Sequence, residues 1–264
     1  MPDRPIRPWP TACLLPLGLF VALPLAAAPL RQQAQAFAAD GRTPLYGEVH
    51  WTATDRDDGL ARLVLYTCAD GRPFARKTLW RRDRPQAPDF QFDDRRSGYR
   101  EGVRSDDGRQ VFVRADADAA VASQALQVPA DGVIDAGFVE AIRAQWPVLA
   151  AGDTARFRFL VPSMQRFVPV KVEPVGTERW DGQAALRLRM TLDQWFGFAV
   201  PATSLVFSAD GARLLEFAGT GNVRDRRGRH PQVRIVFAQP PGPAAAGDTL
   251  ERDLARPLAA DCGP

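Results

Sequence analysis

Two histidines, two lysines, one asparagine and three cysteines are all that these 264 residues contain of those four types, and each scarcity removes a class of chemistry. His50 and His230 stand far apart, so histidine-built metal sites and nucleophile–base pairs have almost no raw material. No G-x-S-x-G, Walker loop or C-x-x-C occurs, and the glycines of Gly219-Thr220-Gly221 lack the third glycine of a dinucleotide fingerprint. Metal and cofactor are both unexpected. The formal net charge is only +3, which gives no electrostatic case for nucleic acid. Lys77 and Lys171 are the only lysines, so arginine carries nearly all the positive charge. With abundant alanine, glycine and proline, that bias fits a GC-rich genome.

Long apolar runs are scarce too. The one that stands out, Ala12 to Leu25, is interrupted by Pro16, Gly18 and Pro24 and falls short of the roughly 20 residues a span needs. Asp3, Arg4 and Arg7 precede it as a net-positive lead, and Ala26, Ala27 and Ala28 close it. That order is the signature of a secretory signal peptide over 1–28, and it predicts export to the periplasm. An uncleaved anchor is the alternative; after cleavage no stable membrane span would remain. Pro29 disfavours a cut after Ala28, while Ala27, Ala36 and Ala38 each satisfy the small-residue requirement, which places cleavage within 27–38. Cys13 lies ahead of most of the apolar run, where a lipidated first residue would not be.

Removal of the leader leaves Cys68 and Cys262. An even count in an oxidising compartment predicts one disulfide, with two free thiols as the alternative.

What the sequence has in quantity is turns. Asp58-Gly59, Asp70-Gly71, Asp107-Gly108, Asp181-Gly182 and Asp210-Gly211 each separate two strand-like runs, and Asp-Gly is a strong hairpin signal. Leu186, Leu188, Met190 and Leu192 alternate with Arg187, Arg189 and Thr191 at the period of a strand with one buried face. About eleven or twelve strands follow from such runs. Helix is rare: Phe138, Ile142, Trp146 and Leu149 share one face, Asp135 is placed to cap them, and Pro147 breaks the run. The alanine-rich stretch 116–126 is a second candidate helix. The reading is an α+β fold, mainly antiparallel β: a curved meander sheet, half-barrel or open barrel, with one or two helices. One β-rich domain spans 43–238, and 239–264 form a Pro/Ala-rich C-terminal tail.

Carboxylates are common but unplaced; a pair such as Asp93 with Glu101 would suit acid–base work, and solvated turn charge is the plainer reading. Aromatics crowd the second half. Phe157, Phe159, Phe167, Trp195, Phe196, Phe198, Phe207 and Phe217 are the candidate lining of an apolar ligand site, for which a strongly curved sheet with little helical cover leaves room. An ordinary aromatic core is the alternative.

The run Thr177-Glu178-Arg179-Trp180-Asp181-Gly182, then Val200-Pro201, Leu205-Val206-Phe207 and Asp210-Gly211-Ala212-Arg213-Leu214-Leu215-Glu216-Phe217, resembles uncharacterised proteobacterial periplasmic proteins. Those families look related in architecture to the half-barrel lipoprotein carriers LolA and LolB. The resemblance implies a curved sheet whose concave face accepts acyl chains, and it carries no individual functional residue. Two function classes are expected: a non-catalytic binding module for a lipid, another apolar ligand or a cell-envelope partner, or an envelope hydrolase working with carboxylates and arginines. A structural envelope role is the third.

Overall fold

The computed structural model describes residues 28–53, 56–194 and 201–263. In chain order its strands are β1 (Leu30–Ala38), β2 (Pro44–Thr52), β3 (Leu60–Thr67), β4 (Pro73–Trp80), β5 (Asp89–Asp94), β6 (Tyr99–Arg104), β7 (Gln110–Arg114), β8 (Ala122–Ala125) and β9 (Gly132–Val133). Helices α1 (Gly137–Ala144) and α2 (Trp146–Ala150) follow, then β10 (Ala155–Val161), β11 (Arg166–Trp180), β12 (Gln183–Leu192), β13 (Thr203–Ser208), β14 (Leu214–Thr220), β15 (Gln232–Val236), β16 (Gly242–Pro243) and α3 (Leu250–Ala255). All the strands belong to one sheet. Its order runs β8 back to β1, then β15 back to β9, with β16 beside β1. Every pairing is antiparallel except β9 with β10.

The five Asp-Gly pairs do what the sequence predicts. Each joins successive strands, and their glycines have φ between 71° and 81°, the region where a Cβ would be strained. Two expectations need correction. Residues 116–126 hold β8, not a helix; four consecutive exposed residues have no apolar face to bury as a helix would. Pro147 does break the helical run: the chain pauses at Gln145, and Pro147 sits in the first turn of α2, where its missing N–H costs nothing. Ala136, rather than Asp135, holds the N-cap position of α1. The sheet also starts earlier than residue 43: β1 lies at its centre, paired to β2 on one side and β15 on the other. The tail contributes β16 and α3, so the described residues hold three short helices.

The sheet is open, yet it curls. Tyr66, Phe92 and Val103 of the first half share one buried cluster with Leu160, and Phe167 packs against it. Near the seam Gln165 donates its side-chain amide to the Ala122 carbonyl, and Gln124 returns a bond to the Gln165 carbonyl. A second cluster lies where α1 and α2 cover β10–β13, with Phe138, Ile142 and Leu149 against Phe157, Val170, Leu188 and Phe207. The outer face of β2 and β3 is covered by α3, whose Leu250 packs on Trp51, Leu63 and Leu65. Asp253 on the same helix accepts the Trp51 indole N–H at 2.8 Å. The end of the chain is tied back by a Cys68–Cys262 disulfide, Cα–Cα 5.2 Å, closing a separation of 194 residues. Among the described residues no helix is long and apolar enough to cross a membrane.

Candidate functional site

Strand register puts two rows of side chains on the inner face of the first half. Ala34, Glu48, Tyr66, Ala75, Asp94 and Tyr99 form one row; Gln32, His50, Val64, Lys77, Phe92 and Glu101 form the next. Polar groups therefore stand where an ordinary barrel buries hydrocarbon. Glu48, Lys77 and Glu101 are 4%, 4% and 6% exposed, which demands partners.

The partners are present. Lys77 Nζ donates to both oxygens of Asp135, at 2.9 and 2.7 Å, and lies 5.9 Å from the centroids of the Phe90 and Phe92 rings. Asp135 reaches it from the segment before α1 with a left-handed backbone, φ 44°, and its Oδ1 also accepts the Ala136 N–H. Tyr99 Oη donates to Glu101 Oε2 at 2.6 Å. Glu48 Oε2 stands 2.7 Å from His50 Nε2. Burial pushes the Glu101 carboxyl up, and the Tyr99 hydroxyl and Lys77 pull it partly back. Burial also raises Tyr66 and Tyr99, aided by Glu48 at the first and Glu101 at the second. The Arg224 guanidinium lies 3.8 Å over the Tyr99 ring, and burial lowers neighbouring His230. A desolvated acid beside a lysine–aspartate pair is competent for proton transfer.

The outer face of the same strands carries a depression of about 400 Å³ lined by Trp80, Phe112, Val121, Arg82, Arg100 and Arg104, with Asp58, Asp89 and Asp106 among the rest. Gly102 makes it possible: a Cβ there would come 2.3 Å from the Phe90 carbonyl oxygen and 2.7 Å from the Phe112 ring, which lies across the strand. Arg82 and Arg109 neutralise buried Asp89, and Arg104 stacks 5.7 Å from the Phe112 centroid. A larger, more open groove of about 760 Å³ runs beside Cys262, between Arg96, Arg224 and Arg226. Among the described residues no group of three or more His, Cys, Asp or Glu side chains could hold a metal ion.

The sequence-predicted residues are distributed differently. Phe157 and Phe207 are buried in the cluster under α1 and α2; Phe159 and Phe217 pack against it, partly buried, while Phe167 joins the other cluster. Trp195, Phe196 and Phe198 lie outside the described residues. Asp93 and Glu101 are not brought together: Asp93 pairs with Arg100 on the outer face and Glu101 points inward. Sequence reasoning missed Glu48, Lys77 and Asp135. A signal existed, because Lys77 and Glu101 fall in strand-like runs at positions shared with apolar neighbours, and charged residues there demand pairing.

No protein-family model matches the chain, and no curated protein does. Among the solved structures similar to this chain is the crystal structure of a beta-barrel-like protein of a domain of unknown function, DUF1849, from Brucella abortus, with a TM-score of 0.43 and 8% identity over 83% of this chain and 98% of that one. Likeness at this level says nothing of what the chain binds.

Proposed function

We propose that the chain is an exported, non-catalytic binding module of the cell envelope that engages a polypeptide partner through the outer depression of β4–β7. One observation carries the reading: Trp80 and Phe112 floor a cavity of ligand size whose rim is set with Arg82, Arg100 and Arg104. Aromatics and arginine are the residues that concentrate binding energy at protein interfaces. The exposed edge strand β8 and Val121, 51% exposed, extend the surface at one side. Export is supported by the basic, apolar and small-residue order of 1–28 and by the disulfide. Processing after Ala27 would leave β1 whole, whereas a cut after Ala36 or Ala38 would remove the strand that links β2 to β15.

The test is photo-crosslinking in the cell from a reactive residue placed at Val121, with an exposed control at Val175. A defined adduct at position 121 that disappears with Arg104→Glu, in a variant that still folds, supports the reading. Equal adducts from both positions, or none from either, end it.

A hydrolase is the second reading, favoured by the buried Glu101 and the Lys77–Asp135 pair. It requires hydrolysis of an envelope ester or glycoside that Glu101→Gln abolishes without unfolding the protein. An apolar ligand on the concave side would instead rest on Phe159, Phe167 and Phe217, which keep partial exposure.

A further inference from the structure

Beyond the outer depression, Arg62 on the inner face has no counter-charge in contact among the described residues. Arg62 lies on β3 between Thr52 and Leu79 in register, next to the row that carries His50 and Lys77. It is partly buried and makes no hydrogen bond or ion pair with any described residue. The carboxylates that attract it are both engaged: Asp135 by Lys77 at 2.7 Å and Glu140 by Arg143 at 2.7 Å. Burial lowers the Arg62 pKa, and those two carboxylates only partly offset it.

Its placement has a structural cause. The β3–β4 register slips between Leu60 and Arg62. Leu60 consequently packs outward with Trp51 and Leu250, while Arg62 keeps the alternation of inward Val64 and Tyr66 and lies near the acidic side chains of α1 and Asp135. A bulge that re-aims one side chain is a feature found beside functional sites. Gln32, His50 and Thr52 form with Arg62 a continuous strip that is partly buried along its length, unlike the sealed Glu48 and Lys77 behind it. A guanidinium with no protein partner and only partial access to water is incompletely solvated, and its planar fork matches an oxyanion.

We propose that Arg62 anchors an oxyanion subsite on the inner face and takes a phosphate group, with the Thr52 hydroxyl and His50 as neighbouring polar groups. Free phosphate and a phospholipid headgroup offer the same chemistry, and the experiment separates them. The full mature chain is titrated with inorganic phosphate while the arginine Nε–Hε resonances are followed by NMR. In parallel it is sedimented with vesicles of phosphatidylglycerol or of phosphatidylcholine alone.

A saturable shift of the Arg62 resonance by phosphate assigns the free ion. Retention on phosphatidylglycerol but not phosphatidylcholine vesicles, without a phosphate shift, assigns the headgroup. In either case Arg62→Gln weakens binding by at least about tenfold and Arg62→Lys by less, because lysine keeps the charge and loses the fork. An Arg62 resonance unmoved by phosphate, together with no preference between vesicles, overturns the proposal. So does equal binding by a folded Arg62→Gln protein. The resonance is read on the wild type, so a variant that fails to fold does not decide the matter. Loss of the partner adduct at Val121 would leave this subsite untouched, since it lies on the opposite face.

Discussion

Lys77 and Asp135, 58 residues apart in the chain, form a bidentate ion pair at 2.9 and 2.7 Å between the inner face of β4 and the segment that begins α1. Their side chains are 5% and 10% exposed, so the pair bridges sheet and helix where water cannot substitute for either partner. Beside it, the Ile134 N–H bonds the Gln86 carbonyl, and Arg84 holds the carbonyls of Pro129, Ala130 and Gly132. The mid-chain segment is thereby fixed across the concave side.

Breaking that pair from one end leaves a buried charge. Asp135→Asn, which suits the left-handed backbone, should lower unfolding free energy by about 3–5 kcal/mol. Adding Lys77→Met should restore much of the loss, since the uncompensated ammonium goes with it. Urea midpoints of the two single variants and the double measure the cycle. Strictly additive losses would mean that the pair is not coupled.

Glu101 makes a prediction in pH. Its pKa is raised in the folded state above the ordinary 4.5, burial being the main cause. A carboxyl that holds its proton more firmly when folded contributes stability in full below its unfolded pKa and loses it as pH rises through the folded value. Glu101→Gln keeps an oxygen to accept from Tyr99 and removes that loss. The stability of the variant relative to wild type should therefore move in the variant's favour as pH rises above the ordinary carboxylate value of 4.5. The lowered carboxyls of Asp58 and Asp225 act with the opposite sign but cancel in the difference. A difference independent of pH would contradict the assignment.

Gly102→Ala should destabilise by about 1–3 kcal/mol through overpacking, because the new methyl meets a backbone carbonyl that cannot swing away. Phe112→Leu in the same chain should recover only the part due to the ring. Thermal unfolding of the three proteins decides it; an unchanged midpoint for Gly102→Ala would refute the contact.

The Cys68–Cys262 bridge should contribute about 2–5 kcal/mol, the chain-entropy expectation being near the upper end for a loop this long. Cys68→Ser with Cys262→Ser should lower the melting midpoint and raise hydrogen exchange at residues 257–263. The protection of α3 should fall less, because Trp51–Asp253 and the apolar packing of Leu250 remain. Identical melting with and without reductant would count against the bridge.

How much of this was legible in the sequence varied with range. The Asp-Gly hairpins and the alternation of Leu186 to Leu192 were readable because a turn and a two-residue period are local properties of the backbone. The helix under Phe138 and Ile142 was readable as amphipathic. Its break near Pro147 was readable too, but the diversion of Asp135 to Lys77 was not, since it depends on a contact with β4. Strand β8 was hidden by alanine, which favours helix locally and yields here to pairing with β7.

By itself, then, the sequence determined an antiparallel meander, Cys68 and Cys262 as candidate partners, and an aromatic-rich second half. These follow from short-range sterics and composition. Tertiary structure alone decided which face is inside, because that depends on β1 pairing with β15 and on the curl that brings Leu160 to Phe92. The same long-range pairing sealed Lys77 and Glu101 in, and it turned the face that Arg62 shares with Val64 and Tyr66 inward, leaving Arg62 without a contacting partner among the described residues.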